Sequence, residues 1–172
     1  FAAVSILNHH GMIAFRDPQA IRPLIFGKRQ TRYGTEYCVA SENVAHDVLG
    51  FEVIRDVKPG EVLYFPFDSD EYHSEICAET TEYKPCIFEH VYLARPDSIM
   101  DGVSVYKTRL RMGKHLAQKV LQKIKKEDID VVMPIPDSGR TAALEVAEEI
   151  GVPYREGYIK NRYIGRTFIM PD

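Results

Sequence analysis

Short apolar runs separated by turn chemistry fill the first 65 residues. Met12 to Phe15, Leu24 to Phe26, Tyr37 to Ala40, Phe51 to Ile54 and Val62 to Phe65 are rich in β-prone side chains, and each pattern predicts a strand. Arg16-Asp17-Pro18, Gly27-Lys28, Ser41-Glu42-Asn43 and Lys58-Pro59-Gly60 lie between them. In Lys58-Pro59-Gly60-Glu61 the proline presets one turn position and the glycine accepts positive φ at the next. Val44, Ala45, Val48 and Leu49 recur at helical spacing, which predicts a short helix over Ser41 to Leu49 with Ser41 as its cap. Strands with one short helix predict part of a sandwich-like or α+β domain.

The pattern changes twice after that. From Pro66 to Pro85, Asp68, Asp70, Glu71, Glu75, Glu79 and Glu82 face one cation, Lys84, which predicts a linker or an exposed edge. From Val103 to Lys126, Tyr106, Leu110, Gly113, Ala117, Val120 and Ile124 alternate steps of four and three, one face of a long helix. Lys107, Arg109, Arg111, Lys114, Lys119, Lys123, Lys125 and Lys126 occupy the other face, and solvation is its ordinary reading. Ile129 to Ile135 reads as a strand covered on both faces, and Pro136-Asp137-Ser138-Gly139 breaks it. A helix over Thr141 to Ile150, stopped by Gly151, and a strand over Tyr154 to Ile159 complete a βαβ unit with a parallel sheet. The expected fold class is therefore α+β in the first region and α/β in the second.

Composition narrows the function classes. The chain is 45% hydrophobic and 27% charged, with a net charge of −3, so no global field recruits nucleic acid or an anionic membrane surface. No apolar run is long enough for a membrane-spanning helix. Three cysteines, Cys38, Cys77 and Cys86, make no disulfide framework and favour a reducing, cytoplasmic setting. The chain begins at Phe1 inside an apolar run, so a piece of a longer polypeptide is expected.

Two segments carry candidate chemistry, because α/β sheets gather ligands where strands lead into helices. In Pro136-Asp137-Ser138-Gly139-Arg140-Thr141, backbone amides at a helix start favour an anion, Gly139 allows close approach, and Ser138, Thr141 and Arg140 can donate. Equally, Asp137 or Ser138 could simply cap the helix. In Lys160-Asn161-Arg162-Tyr163-Ile164-Gly165-Arg166-Thr167-Phe168-Ile169, three cations stand within seven residues beside neutral donors and a glycine joint. That mixture suits an active-site cover, with a plain surface loop as the alternative.

Several stretches together are more specific. His10-Gly11-Met12-Ile13-Ala14-Phe15-Arg16-Asp17-Pro18 through Ile21-Arg22-Pro23-Leu24, then Val39-Ala40-Ser41-Glu42 and Asp56-Val57-Lys58-Pro59-Gly60-Glu61, resemble the late part of a class II glutamine amidotransferase domain. Cys86-Ile87-Phe88-Glu89-His90-Val91-Tyr92-Leu93-Ala94-Arg95-Pro96-Asp97-Ser98 and the Lys160 to Ile169 segment resemble hallmark segments of the amidophosphoribosyltransferase family. The resemblance covers essentially the whole chain in the right order.

It implies that residues 1–84 are the C-terminal part of an N-terminal-nucleophile glutaminase domain (αββα). Residues 85–172 would then begin a type I phosphoribosyltransferase domain, a parallel sheet with flanking helices. Such enzymes hydrolyse glutamine and pass the ammonia to phosphoribosylpyrophosphate (PRPP), releasing pyrophosphate and forming 5-phosphoribosylamine, the committed step of de novo purine synthesis. Magnesium, purine-nucleotide feedback inhibitors and a homo-oligomer are implied with it. Asp137, Ser138 and Gly139 fall on the family's pyrophosphate loop. Lys160, Asn161, Arg162, Tyr163, Gly165, Arg166, Thr167 and Ile169 fall on its flexible PRPP loop and ammonia channel.

Many members carry serine where Gly139 stands, so the resemblance does not carry over a magnesium ligand at that position, and Ser138 is the candidate to compensate for it. Cys86 falls where some members bind an iron–sulfur cluster through cysteine, so it is a candidate ligand. The nucleophilic cysteine of the glutaminase would lie upstream, so none of these residues is expected to be catalytic and the chain alone is expected to be inactive. The rival expectation is a non-catalytic phosphoribosyltransferase-like regulator that binds PRPP or a nucleotide.

Overall fold

A computed structural model of the chain describes residues 1–161 and 163. It falls into two compact units, Phe1–Tyr106 and Lys107–Asp172. The fold is mixed α and β with antiparallel sheets.

In the first unit, β1 (Ala2–Leu7), β2 (Gly11–Arg16), β6 (Glu61–Pro66) and β7 (His73–Ile76) form one antiparallel sheet in the order β1-β2-β6-β7. A second sheet runs β4 (Gly34–Ala40), β3 (Ile25–Thr31), β5 (Glu52–Asp56). Ala14, Leu63 and Phe65 from the first sheet meet Phe26 from the second, with Leu24 and Val57 closing the layer. Tyr37, Val39, Ile54 and Tyr72 pack around them. Each fully buried side chain of this size contributes about 1.5–3 kcal/mol. The sandwich expected from the alternation is present, and each of the five predicted runs overlaps a strand, but β3 continues through the expected turn at Gly27-Lys28 as far as Thr31, and β4 begins three residues early at Gly34. Two strands carried no such signal. β1 is half exposed, and β7 is the exposed edge that the acidic stretch allowed for.

The short helix α1 (Asn43–Leu49) ends at Gly50 in the left-handed conformation, with φ 71°. Ser41 does not cap it: Glu42 is the N-cap residue, and no side chain makes the cap bond. The Glu42 carboxylate is engaged elsewhere, by the Arg95 amide at 2.9 Å and by the Ser98 hydroxyl. Residues 85 to 106 pack with this unit. They comprise a π-helical turn (Glu89–Leu93), a small hairpin of β8 (Ile99–Met100) and β9 (Val103–Ser104), and the first residues of α2 (Val105–Leu121). Asp101 and Gly102 link β8 and β9 with φ 47° and 75°, the pairing a type I′ hairpin turn requires.

In the second unit α2 and α3 (Arg140–Ile150) pack through Ala117, Val146 and Ile150, with Val120, Ile129, Val132 and Val152 around them. They approach closely at Gly113, where a Cβ would fall 2.5 Å from the Ala142 carbonyl oxygen. α2 is shorter than its pattern predicts, and its buried positions run Val105, Arg109, Gly113, Ala117 in steps of four. Arg109 is therefore buried and not part of a solvated basic face. The expected strands at 129–135 and 154–159 narrow to one parallel bridge, Val132 with Tyr154. Val132 N–H donates to Pro153 O and Arg155 N–H to Val132 O, both at 3.0 Å. A parallel strand needs cover on both faces, yet Ile135 and Ile159 are 70% and 90% exposed. The parallel βαβ connection is present, but the ladder is not extended.

Glu61 occupies an inward position of β6 and is 1% exposed, so its charge needs partners. Arg55 meets it with two bonds of 2.7 and 2.6 Å, the Lys58 amide donates at 2.7 Å, and Ser74 donates its hydroxyl. Burial pushes the Glu61 carboxyl up, but these donors together outweigh it and hold the group below the usual carboxylate range. A depressed carboxylate lends stability that is complete above its unfolded pKa, near 4, and is lost as pH falls through the folded value. Glu61→Gln is expected to destabilise the chain by roughly 3–5 kcal/mol near neutral pH. Urea unfolding followed from pH 7 toward pH 3 checks this: the variant's stability will fall less steeply with acid than the parent's.

Candidate functional site

The loop between the Val132 bridge and α3 holds the first candidate. Pro136 to Gly139 turn the chain, the Pro136–Asp137 peptide is cis, and Gly139 is the N-cap residue of α3. Neither Asp137 nor Ser138 caps the helix, since no side chain makes a cap bond there. The capping alternative is thus not realised; the Gly139 and Arg140 amides bond the Ile135 and Asp137 carbonyls at 3.3 Å, and the N–H groups that follow carry the positive end of the dipole. A Cβ on Gly139 would lie 2.7 Å from the Ile135 carbonyl oxygen, closer than real Cβ atoms come. Glycine is needed here for space.

The Asp137 carboxylate faces two cations instead: Arg140 Nε at 3.6 Å and Lys160 Nζ at 4.0 Å. Arg140 also reaches Glu156 at 3.2 Å through Nη1. Its Nε is buried and has no hydrogen-bond partner among the described residues, because 3.6 Å is an ion-pair distance and not a bond. Tyr154 donates its hydroxyl to Glu156 at 3.4 Å. These pairs are half exposed, so each is weak by itself and easily exchanged for another anion. The arrangement is a small anion site whose resident counter-ion is Asp137: amides at a helix start, an arginine with a donor unmatched among the described residues, and a lysine held loosely.

The two sequence-derived segments thus meet at one place, through Asp137 and Lys160. Asn161 accepts a 2.9 Å bond from the Tyr163 amide, and the Tyr163 side chain is fully exposed. Arg162, Gly165, Arg166, Thr167 and Ile169 lie outside the described residues. Glu156 was not singled out from the sequence. Its signal was available, since it sits two residues past the Tyr154 bridge, where ligands gather at strand ends.

The metal candidates find less support. Among the described residues no three His, Cys, Asp or Glu side chains are grouped as a metal site. Cys86 is half buried, and its amide is tied to the Ile21 carbonyl at 2.9 Å. Near Ser138 the one carboxylate of the loop is already shared between Arg140 and Lys160. These residues do not by themselves fit an iron–sulfur cluster or a magnesium ion. No helix among the described residues is long and apolar enough to cross a membrane.

No protein-family model matches the chain. It is 61% identical over 171 residues to a Pseudomonas aeruginosa amidophosphoribosyltransferase, covering 99% of this chain and 34% of that protein. The same enzyme of Escherichia coli is 51% identical over 172 residues, and that of Saccharomyces cerevisiae 50% over 175, each with 34% of its length covered. Among solved structures, the glutamine PRPP amidotransferase of Bacillus subtilis complexed with ADP and GMP superposes with a TM-score of 0.79 at 39% identity. That match covers 99% of this chain and 35% of the other. A structure described as the allosteric regulatory enzyme of purine biosynthesis gives 0.77 at 40% identity, covering 95% and 33%. The resemblance to amidophosphoribosyltransferases is thereby shown, over about a third of the length of these relatives.

Gly139→Ala is expected to force the loop away from Ile135 and to destabilise the chain by about 1–3 kcal/mol. A lowered thermal midpoint, set beside a milder Ser138→Ala control, is the measurement.

Proposed function

We propose that this chain is part of an enzyme that hydrolyses glutamine to glutamate and ammonia and uses the ammonia to displace pyrophosphate from PRPP, giving 5-phosphoribosylamine. The observation that carries the reading is the uncapped start of α3, where Gly139 is sterically required and the buried Arg140 Nε has no hydrogen-bond partner among the described residues. The high identity to named amidophosphoribosyltransferases supplies the reaction. All the relatives named above are enzymes, which does not favour the non-catalytic regulator. Residues 1–84 would belong to the glutaminase domain and 85–172 to the phosphoribosyltransferase domain.

In this reading the pyrophosphate of PRPP takes the place Asp137 now fills between Arg140 and Lys160. The Ser138 and Thr141 amides and the Ser138 hydroxyl would donate to its oxygens, as helix starts do for phosphates. As the C1–O bond lengthens, charge grows on the leaving pyrophosphate, and Arg140 and Lys160 would hold that charge. C1 becomes electron-poor in the same step, so water must be kept out until ammonia arrives. Arg162, Gly165, Arg166, Thr167 and Ile169 would share in that cover. Magnesium would enter bound to the pyrophosphate oxygens of the substrate, where its charge assists departure. Purine nucleotides, as phosphorylated ligands, would compete for or act through the same kind of anion site.

Two outcomes test this. The complete enzyme should release pyrophosphate from PRPP in the presence of glutamine, whereas the 172-residue chain should not. Release by the chain alone would overturn the division of the chemistry proposed here. Lys160→Ala in the complete enzyme should raise the KM for PRPP about tenfold, for the loss of one charged contact of roughly 1.4 kcal/mol. Glutamine hydrolysis assayed alone should change little. An unchanged KM for PRPP would remove Lys160 from the site.

A further inference from the structure

Glu156 stands beside the candidate anion site and yet has nothing to offer a phosphate directly, since like charges repel. Its contacts run to Arg140 and Tyr154. Glu156 Oε1 lies 3.2 Å from Arg140 Nη1, and the Tyr154 hydroxyl donates to the same oxygen at 3.4 Å. Tyr154 is itself placed by the main chain, through its parallel bridge to Val132 and the 3.0 Å bond from the Arg155 amide to Val132 O. Glu156 thus follows directly on a main-chain anchor.

Arg140 needs such a brace. It is the first residue of α3, its side chain is half-exposed, and a guanidinium on a long stem has many rotamers open to it. Asp137 alone holds it loosely, at 3.6 Å from Nε. With Nη1 beside Glu156, the other edge of the guanidinium is turned inward: Nε is buried, lies toward Asp137, and has no hydrogen-bond partner among the described residues. A planar guanidinium fixed at one nitrogen presents its remaining donors in a set direction, as recognition of a phosphate oxygen requires. Against this, Glu156 also brings a negative charge near an incoming anion. Geometry and charge therefore predict opposite effects for its removal.

We propose that Glu156 is a positioning residue for PRPP: it holds Arg140 so that the guanidinium donors meet the pyrophosphate group, and it acts through Arg140 alone. This rests on the PRPP reading given above. Glu156 itself touches neither the substrate nor a reacting atom. Geometry outweighs charge at this place, because the ligand lies beyond Arg140, where water and salt screen the repulsion, whereas the aim of the guanidinium is lost directly.

The test uses the complete enzyme, with the KM for PRPP measured by pyrophosphate release. Glu156→Gln keeps the size of the side chain and an oxygen for Tyr154 and removes the charge. It is expected to raise the KM about threefold, as one half-exposed ion pair supports, with kcat and glutamine hydrolysis assayed alone unchanged within about twofold. In an Arg140→Ala background, whose own KM should stand about tenfold above the parent's, the same substitution should change the KM by less than about 1.5-fold. A residue that only braced the fold would act equally in both backgrounds. Glu156→Asp, which keeps the charge on a shorter stem, should give a KM between those of the parent and Glu156→Gln, and it decides the matter if the glutamine variant does not fold. A lowered KM, an unchanged KM, or an equal rise in both backgrounds overturns the proposal. A parent enzyme that releases no pyrophosphate from PRPP, or an Arg140→Ala enzyme with the parent's KM, would instead sink the reading on which it rests.

Discussion

Three separate stretches of the first unit are tied to one guanidinium. Arg16 ends β2 on the inward side, where the alternation calls for an apolar residue, and it is almost wholly buried. An ion there is tolerable only when each donor is met, and three carbonyls with one carboxylate meet all of them. Those partners come from the 20–22 loop, from Val57 and from the β8–β9 hairpin. The conformations of three separate stretches are therefore tied to a single charge. Asp101 responds in kind: burial pushes its carboxyl up, but the bonds and charge of Arg16, helped by Tyr83, hold it below the usual range. The Tyr83 hydroxyl is pushed up to about 12, by burial and then by its bond to Asp101.

The second unit works on a different scale of commitment. Its candidate site is assembled from half-exposed ion pairs at 3.2 to 4.0 Å. That is suited to a ligand that must come and go. Rigidity is confined to the floor of the site, where Gly139 lies against Ile135 and Gly113 lets α3 lie close on α2. The contrast between a locked hairpin and an exchangeable anion loop is one of dielectric. The same charges that fix structure in the first unit are screened by water in the second.

How much was legible beforehand follows from range. Periodicity reports geometry over a few residues, and it found the strands around Met12, Tyr37 and Val62, and the helix stop at Gly151. Turn chemistry at Lys58-Pro59-Gly60 was visible for the same reason. Charge alone suggests exposure at Arg109, whereas its burial follows from its place one turn before Gly113. Ser41 was expected to cap because its residue type suits the role, but Glu42 stands at that position with a tertiary task. The lone bridge at Val132 shows that an apolar run fixes a strand's chance of burial and not the presence of its neighbours. In the candidate site, Asp137 and Lys160 were both named from sequence; that they face each other required the fold.

The Arg16–Asp101 contact also orders events in time. Its partners stand 85 residues apart in sequence, and closing so long a loop is slow unless other contacts have already shortened it. The carbonyls that aim Arg16 belong to the 20–22 loop and Val57, so the sandwich must condense before there is anything for Asp101 to find. During synthesis the receptor leaves the ribosome well before its ligand. The hairpin thus closes on a finished surface, and its locking marks the completion of the first unit.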